Sequence, residues 1–254
     1  MRIAFVASTS GLAQEALRSL TERYGQSNVK DADIVVPLGG DGKVLRTLYE
    51  VMDLDKPVFA MRRTESVGFL CNDYHVDSLH ERLSAAHAVL LHPLRVEAKT
   101  TSGTVTNGLA INEVTIIRET PQSARLRISV DGVERIAAYS GDGVLLSTPA
   151  GSTAYNHSCD GPIMPLDANT LVITAISGFR PRGWSYAVLP QDSVVRVETL
   201  EVEKRPIRIE AGSVVIHNGV DAKIWLDRKK NLTLMFDPHQ HLGERIVREQ
   251  FMLD

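Results

Sequence analysis

Asp41 stands inside Gly39-Gly40-Asp41-Gly42, one carboxylate among three glycines. Glycine lets a backbone come close to a ligand and aim its N–H groups at it, and a helix that starts at such a turn adds partial positive charge. The turn therefore suits phosphate. A carboxylate placed among groups that favour anions would repel that phosphate unless it has chemistry to perform on something nearby. The same residues also fit a turn aspartate that caps a helix, and this stretch alone leaves both open.

A second concentration of polar groups lies between Tyr139 and Pro165, with Ser147-Thr148-Pro149-Ala150-Gly151-Ser152-Thr153-Ala154-Tyr155-Asn156-His157-Ser158 at its centre. Hydroxyls and N–H groups at this density suit a sugar or a phosphate. A polar loop leading into a helix capped by Ser152 or Thr153 fits equally. Asn112 and Glu113 interrupt the apolar run from Gly108 to Ile117. Buried polar side chains need partners, and either a ligand's ribose or amide or an internal hydrogen bond could supply them here.

Ile3 to Ala7 reads as a buried strand, and Leu12, Ala16, Leu17, Leu20 and Tyr24 as the stripe of a first helix. The β-branched run Ile34-Val35-Val36 leads into the glycine turn, and Val44, Leu45, Leu48 and Met52 share one face of the helix that follows. Pro57 to Met61 is a third strand, Arg62 to Asn72 a glycine-containing loop, and Ser78 with Glu81 a capping box opening a helix through Leu79, Leu83, Ala86 and Leu90. Alternating strand and helix predict an open, mainly parallel α/β domain over residues 1–92, with ligands at the strand C-terminal ends, where Asp41 is.

After His92-Pro93 the texture changes. Strand-like runs recur at Leu94–Ala98, Gly108–Ile117, Arg125–Val130, Gly143–Ser147, Thr170–Ile176, Val194–Val197, Ile207–Ile209, Val214–His217, Ala222–Leu226 and Leu232–Phe236. Helical periodicity is nearly absent, and Asp131-Gly132 and Asn218-Gly219 are hairpin signals. Residues 93–237 read as an all-β domain. Asp237-Pro238 breaks the last strand, and Leu242, Ile246, Val247 and Phe251 suggest that residues 238–254 form a short helix packing back on the first domain.

A net charge of −3 and a pI near 6.2 give no bulk attraction to nucleic acid or to an anionic membrane. The N-terminal apolar run is too short for a signal peptide and no stretch approaches a membrane span, so the cytoplasm is expected. Cys71 and Cys159 read as free thiols. No metal-ligand set is read; His239 and His241 lack a nearby third ligand and are expected at the surface. Arg180 and Arg182 near Trp184, with Lys204 and Arg205 as further members, could serve an anionic ligand, a subunit contact or simply a solvated face.

Taken together and in this order, Gly39-Gly40-Asp41-Gly42, Asn112-Glu113, Gly141-Asp142-Gly143 and the Ser147–Ser158 block resemble the NAD kinase family of compact bacterial type. Phe179-Arg180-Pro181 and Lys204-Arg205-Pro206 carry the resemblance over nearly the whole chain. The resemblance implies the two-domain NAD kinase-like fold, and transfer of the terminal phosphoryl group of ATP to the 2′-hydroxyl of the adenosine ribose of NAD. It implies Mg²⁺ or another divalent cation with ATP, and Asp41 as the base. By matched position, Gly39, Gly40 and Gly42 would hold phosphate, and Gly42 and Arg46 would touch the dinucleotide. Asn112 and Glu113 would hold an adenosine sugar and base edge, and Asp142 the other end of NAD. Thr153, Ala154, Tyr155 and Ser158 would line the adenosine site, and Phe69 border the adenine. The site would then lie between the domains, in a homodimer or homotetramer. The chain departs from the family at Asp160-Gly161, at Asn218-Gly219-Val220 and in the loop from Arg62 to Ser66. A non-catalytic NAD(P)-binding regulator and a kinase for another alcohol, such as a lipid or sugar, are the competing expectations.

Overall fold

The structure is a computed structural model, described here for residues 1–63, 68–238 and 250–251. It divides into two compact units, the first built from Met1–Leu91 and the chain from Lys229 onward, the second from His92–Arg228.

In the first unit the order is β1 (Ile3–Ala7), α1 (Gly11–Tyr24), β2 (Ile34–Gly39), α2 (Asp41–Val51), β3 (Met61–Arg62), β4 (Asn72–Asp73), α3 (Leu79–Ala85) and β5 (His87–Leu91). Strands β1 to β4 pair in sequence order and all in parallel. Every residue of β2 is buried, so the run needed no alternation, as expected of a parallel strand covered on both faces. Helix α1 buries Ala13, Ala16 and Leu20. Leu12, expected on that stripe, is 43% exposed because the apolar face is centred one residue later. Helix α2 buries Val44, Thr47, Leu48 and Val51, with Leu45 only half-buried.

Other expectations for this unit need correction. Pro57 to Ala60 is not a full strand: Val58 makes single bridges to Val35 and Leu234, and regular pairing starts only at Met61. The capping box at Ser78 does not form. Ser78 adopts a left-handed conformation (φ 57°) with no side-chain bond to the helix, and α3 ends at Ala85, so Leu90 lies in β5 and is 54% exposed.

The second unit contains β6 (Leu94–Thr100), β7 (Val105–Ala110), β8 (Glu113–Arg118), β9 (Ala124–Val130), β10 (Val133–Gly141), β11 (Gly143–Ser147), the single turn α4 (Tyr155–Ser158), β12 (Thr170–Ile176), β13 (Tyr186–Pro190), β14 (Val195–Thr199), β15 (Ile207–Ala211), β16 (Val214–Ile216) and β17 (Gly219–Leu226). They form two six-stranded antiparallel sheets, ordered β10-β9-β14-β17-β6-β7 and β13-β12-β11-β8-β15-β16. Alternate residues of both sheets, among them Val96, Ile128, Val197 and Ile224 from one and Ile116, Val144, Ile173 and Ile209 from the other, meet in one core. This is the inward-facing half of a period-2 pattern.

Asp131 (φ 53°) and Gly132 (φ 77°) turn β9 into β10, as the hairpin signal predicts. Asn218-Gly219 does not make a hairpin, since β16 and β17 belong to different sheets. The expected single strand from Gly108 to Ile117 is also broken: β7 and β8 lie in different sheets, and the chain crosses between them at Ile111-Asn112.

The last strand, β18 (Leu232–Phe236), pairs with β5 and belongs to the first unit, so the β unit closes at Arg228 and not at residue 237. The helix expected through Leu242, Ile246 and Val247 lies outside the described residues, as do His239, His241 and the loop positions 64–67.

Candidate functional site

Strand β2 delivers the chain to Gly39, where a side chain would be strained: φ is +155°, and a Cβ there would stand 3.0 Å from the Lys43 Cβ and 3.3 Å from Ser8, so those side chains would have to shift. Gly40 is the N-cap of α2 and Asp41 its first residue. The bonds of α2 begin with the Lys43 and Val44 N–H groups donating to Gly40 O, so the Asp41 and Gly42 N–H groups precede the first intrahelical bond and make this end attractive to anions. A Cβ on Gly42 would meet nothing within 4 Å, so that glycine faces open space, and Arg46, one turn on, is exposed.

The Asp41 carboxylate is fixed by residues far along the sequence. Oδ2 accepts a hydrogen bond from the Phe69 N–H at 2.8 Å and Oδ1 one from the Leu70 N–H at 2.9 Å, with the Cys71 thiol 3.8 Å from Oδ1. A carboxylate has about four acceptor positions, so two bonds orient it and leave capacity for a hydroxyl. Phe69 thus has a backbone role that its side chain did not advertise.

In the second unit β8 and β11 run antiparallel, with Glu113 opposite Ser147 and Ile117 opposite Gly143. Asn112 precedes this ladder. Its carbonyl accepts from the Thr148 N–H at 2.9 Å and the Thr148 Oγ1 at 3.1 Å, and Gly151 packs so closely that a Cβ would lie 2.6 Å from the Asn112 carbonyl carbon. The main chain of Asn112 is therefore clamped while its side chain is not. Asn112 Oδ1 and Glu113 Oε2 are buried and without a hydrogen-bond partner. Burial alone pushes the Glu113 carboxyl up to about 7. Buried acceptors without donors cost stability, and a ligand's hydroxyl or amino hydrogen is the kind of donor each lacks.

The Ser-Thr-Pro block divides into two kinds of residue. Thr148 Oγ1 donates to Ile111 O at 2.7 Å, Ser152 Oγ donates to Pro149 O at 2.7 Å and accepts from the Met164 N–H at 3.0 Å. Asn156 donates to Ser152 O and Pro162 O and accepts from Thr174 Oγ1 at 2.6 Å. These buried groups build the loop. Thr153 and Ala154 are half-buried and Tyr155, His157 and Ser158 exposed, so the outward part of the block is what a ligand could touch. Burial and a hydrogen bond with Cys159 raise the Tyr155 phenol above its ordinary range. Asp160, a departure from the family pattern, takes a left-handed conformation (φ 60°), and Gly161 packs against the Asn156 side chain.

Asp142 sits at the other end of the β8–β11 ladder. Its Oδ1 accepts from Arg118 Nε at 2.5 Å, while Arg118 Nη1 donates to Thr120 O at 2.8 Å and the Arg118 N–H to Asp142 O at 2.9 Å. Sequence reasoning missed Arg118; an arginine ending an apolar strand was the available signal. Behind Asp142, the buried Tyr139 donates to Gly143 O at 2.6 Å and Ile176 O at 3.0 Å and meets Trp184 edge-on. Of the basic group around that tryptophan, Arg205 is engaged by Glu201 and Ser123, and Arg180 and Arg182 are exposed.

This architecture is that of a dinucleotide kinase fold. Yeast NADH kinase, solved in complex with NADH, superposes with a TM-score of 0.80 at 18% identity, covering 98% of this chain and 86% of that one. An NAD kinase from Archaeoglobus fulgidus, solved in complex with ATP, gives 0.77 at 21% identity, covering the whole of both chains. Residues 111–227 match the model of the ATP-NAD kinase C-terminal domain. NAD kinase from Cereibacter sphaeroides is 47% identical over 251 residues, 99% of this chain and 98% of its relative, and that from Xylella fastidiosa 46% identical over 250 residues, 98% and 96%. The chain belongs to the NAD kinase family and is an enzyme of that class.

Proposed function

We propose that the chain transfers the terminal phosphoryl group of ATP to the 2′-hydroxyl of the adenosine ribose of NAD. The bond between the 2′ oxygen and the γ-phosphorus forms, the β,γ bridging P–O bond breaks, and NADP and ADP leave. The hydroxyl proton passes to Asp41, whose carboxylate the Phe69 and Leu70 N–H groups hold in one orientation. In a loose phosphoryl-transfer transition state little activation of the nucleophile is required, so orientation and charge neutralisation carry most of the rate.

One observation supports the substrate class above the others: the orphan acceptors Asn112 Oδ1 and Glu113 Oε2, adjacent in sequence, each suited to a hydroxyl or amino donor of an adenosine. In this reading Thr153, Ala154, Tyr155 and Ser158 line the adenosine site with Phe69 at its border, Gly39, Gly40 and Gly42 approach phosphate, Arg46 touches the dinucleotide, and Asp142 contacts its nicotinamide end. Among the described residues no three His, Cys, Asp or Glu side chains gather as a metal-binding group. A divalent cation arriving with ATP would neutralise charge on the phosphates. A cytoplasmic setting and a homodimer or homotetramer belong to the same proposal; no described helix is long and apolar enough to cross a membrane.

The test is direct. Purified protein given ATP, Mg²⁺ and NAD should form NADP, and Asp41→Asn should lower turnover by roughly 10²- to 10⁴-fold while NAD still binds. Binding of NAD with no NADP formed from any phosphoryl donor would replace the kinase by a binding module.

A further inference from the structure

Asp142 is a placed residue. A Cβ on Gly141 would stand 2.9 Å from Gly178 Cα, and one on Gly143 would stand 2.9 Å from Ile117 Cα, so neither flank admits another residue type. The Asp142 N–H donates to Ile176 O at 2.9 Å, which fixes the backbone from a third side. The charge that opposes this carboxylate is equally fixed, because the Arg118 guanidinium also donates to Thr120 O. Both side chains of the pair are about one-third exposed, at 33% and 36%, so the pair faces outward.

We propose that Arg118 sets the chain's preference between oxidised and reduced dinucleotide by offsetting the charge of Asp142 while directing its carboxylate. The inference rests on Asp142 contacting the nicotinamide end of NAD. The nicotinamide ring is cationic in NAD and neutral in NADH, and otherwise nearly the same shape. A lone carboxylate beside it would favour the oxidised form by Coulomb attraction, worth about fourfold at a separation of roughly 5 Å in a water-like dielectric. Arg118 cancels that term. It acts through Asp142 and is a positioning residue for recognition, not a catalytic one.

The experiment compares kcat/KM for NAD and for NADH, at one ATP concentration, in the wild type, Arg118→Met, Arg118→Lys, Asp142→Asn and the double variant Arg118→Met/Asp142→Asn. Thermal melting confirms that each is folded. NADH fluorescence titration and its displacement by NAD give the same ratio without turnover. Arg118→Met should raise the NAD:NADH ratio about fourfold and Asp142→Asn should lower it by a similar factor. Arg118→Lys should keep the ratio, and the double variant, again without net charge at the pair, should restore it. A purely structural role would weaken both acceptors equally and leave the ratio unmoved. If Asp142→Asn shifts the ratio and Arg118→Met does not, the inference fails while the site reading stands. If Asp142→Asn changes neither acceptor's KM nor the ratio, the placement of the nicotinamide end at Asp142 fails first, and the inference falls with it.

Discussion

Asp41 and Phe69, 28 residues apart, are joined by a 2.8 Å hydrogen bond from the Phe69 N–H to Asp41 Oδ2. The carboxylate proposed to accept the ribose proton is thus also the anchor of the segment at Phe69 and Leu70. Asp41→Asn keeps one acceptor but turns an NH₂ toward one of the two N–H donors, and Asp41→Ala removes both acceptors. We expect Asp41→Ala to cost about 1–3 kcal/mol of stability and Asp41→Asn somewhat less. Chemical denaturation would measure both. Turnover should fall to the same floor in each, since neither can accept a proton; retained turnover in Asp41→Asn would remove the base role and leave only the anchor.

The glycines divide into those that shape the fold and those that face open space, and paired alanine substitutions separate them. Gly151→Ala drives a methyl group into the Asn112 carbonyl, and overpacking against main chain costs about 1–3 kcal/mol. Because Asn112 must move, KM for NAD should rise along with the loss of stability. Gly42→Ala meets nothing within 4 Å and sits in a helix, so stability should hold or improve slightly. Activity should still fall if a phosphate lies against Gly42. Melting curves and KM values for ATP and NAD decide it, and full activity in Gly42→Ala would dismiss the phosphate contact there.

What the sequence disclosed and what it hid follow from the same physics. The buried run Ile34–Gly39 and the strands Gly143–Ser147 and Thr170–Ile176 were legible because they are apolar on both faces and bounded by turn residues. Strand β10 was not, since much of it is exposed and its register shifts twice, which destroys alternation. Strand β13 lies at a sheet edge with Tyr186 and Val188 exposed, and β5 is known only by its distant partner β18. At the candidate site the residue types in the Ser-Thr-Pro block were visible, but not which hydroxyls the loop consumes internally. That division depends on Met164 and Thr174, which approach only in three dimensions. Arg118 stayed hidden for the same reason, its partner being 24 residues away.

Glu113 makes stability depend on pH in an unusual direction for a carboxylate. Its folded-state value of about 7 lies above the ordinary 4.5, so between those values the folded chain holds a proton that the unfolded chain has lost. Stability is therefore fully present below pH 4.5 and is lost as pH rises toward and through 7, by on the order of 3 kcal/mol in all. Glu113→Gln should remove this loss, so denaturation at pH 5.5 and 8 should differ less in the variant than in the wild type. If NAD donates hydrogen bonds to the carboxylate, it favours the charged form, and NAD affinity should rise as pH increases through 7, with proton release on binding. Calorimetry in two buffers of different ionisation enthalpy reads that proton. Affinity that falls over this range would mean that Glu113 binds as the neutral acid.

A bidentate ion pair ties down the end of the closing strand of the first unit. Arg82 donates from Nη2 to Asp237 Oδ2 at 2.6 Å and from Nε to Oδ1 at 3.0 Å, and its Nη2 also reaches Asp73 O at 2.9 Å. The pair's side chains are only 14% and 15% exposed, and the guanidinium lies 5.2 Å from the Phe59 ring centroid. Asn72 adds a second tie, donating to Met235 O and accepting from the Asp237 N–H. Removing one member of a largely buried pair leaves the other charge uncompensated, so Arg82→Met should cost about 3 kcal/mol. Asp237→Ala added to Arg82→Met should cost little more, because the stranded charge is then gone. A double-mutant cycle by denaturation measures the coupling. Strictly additive losses would mean that β18 is held by its ladder with β5 and by Asn72, and that the ion pair contributes only locally.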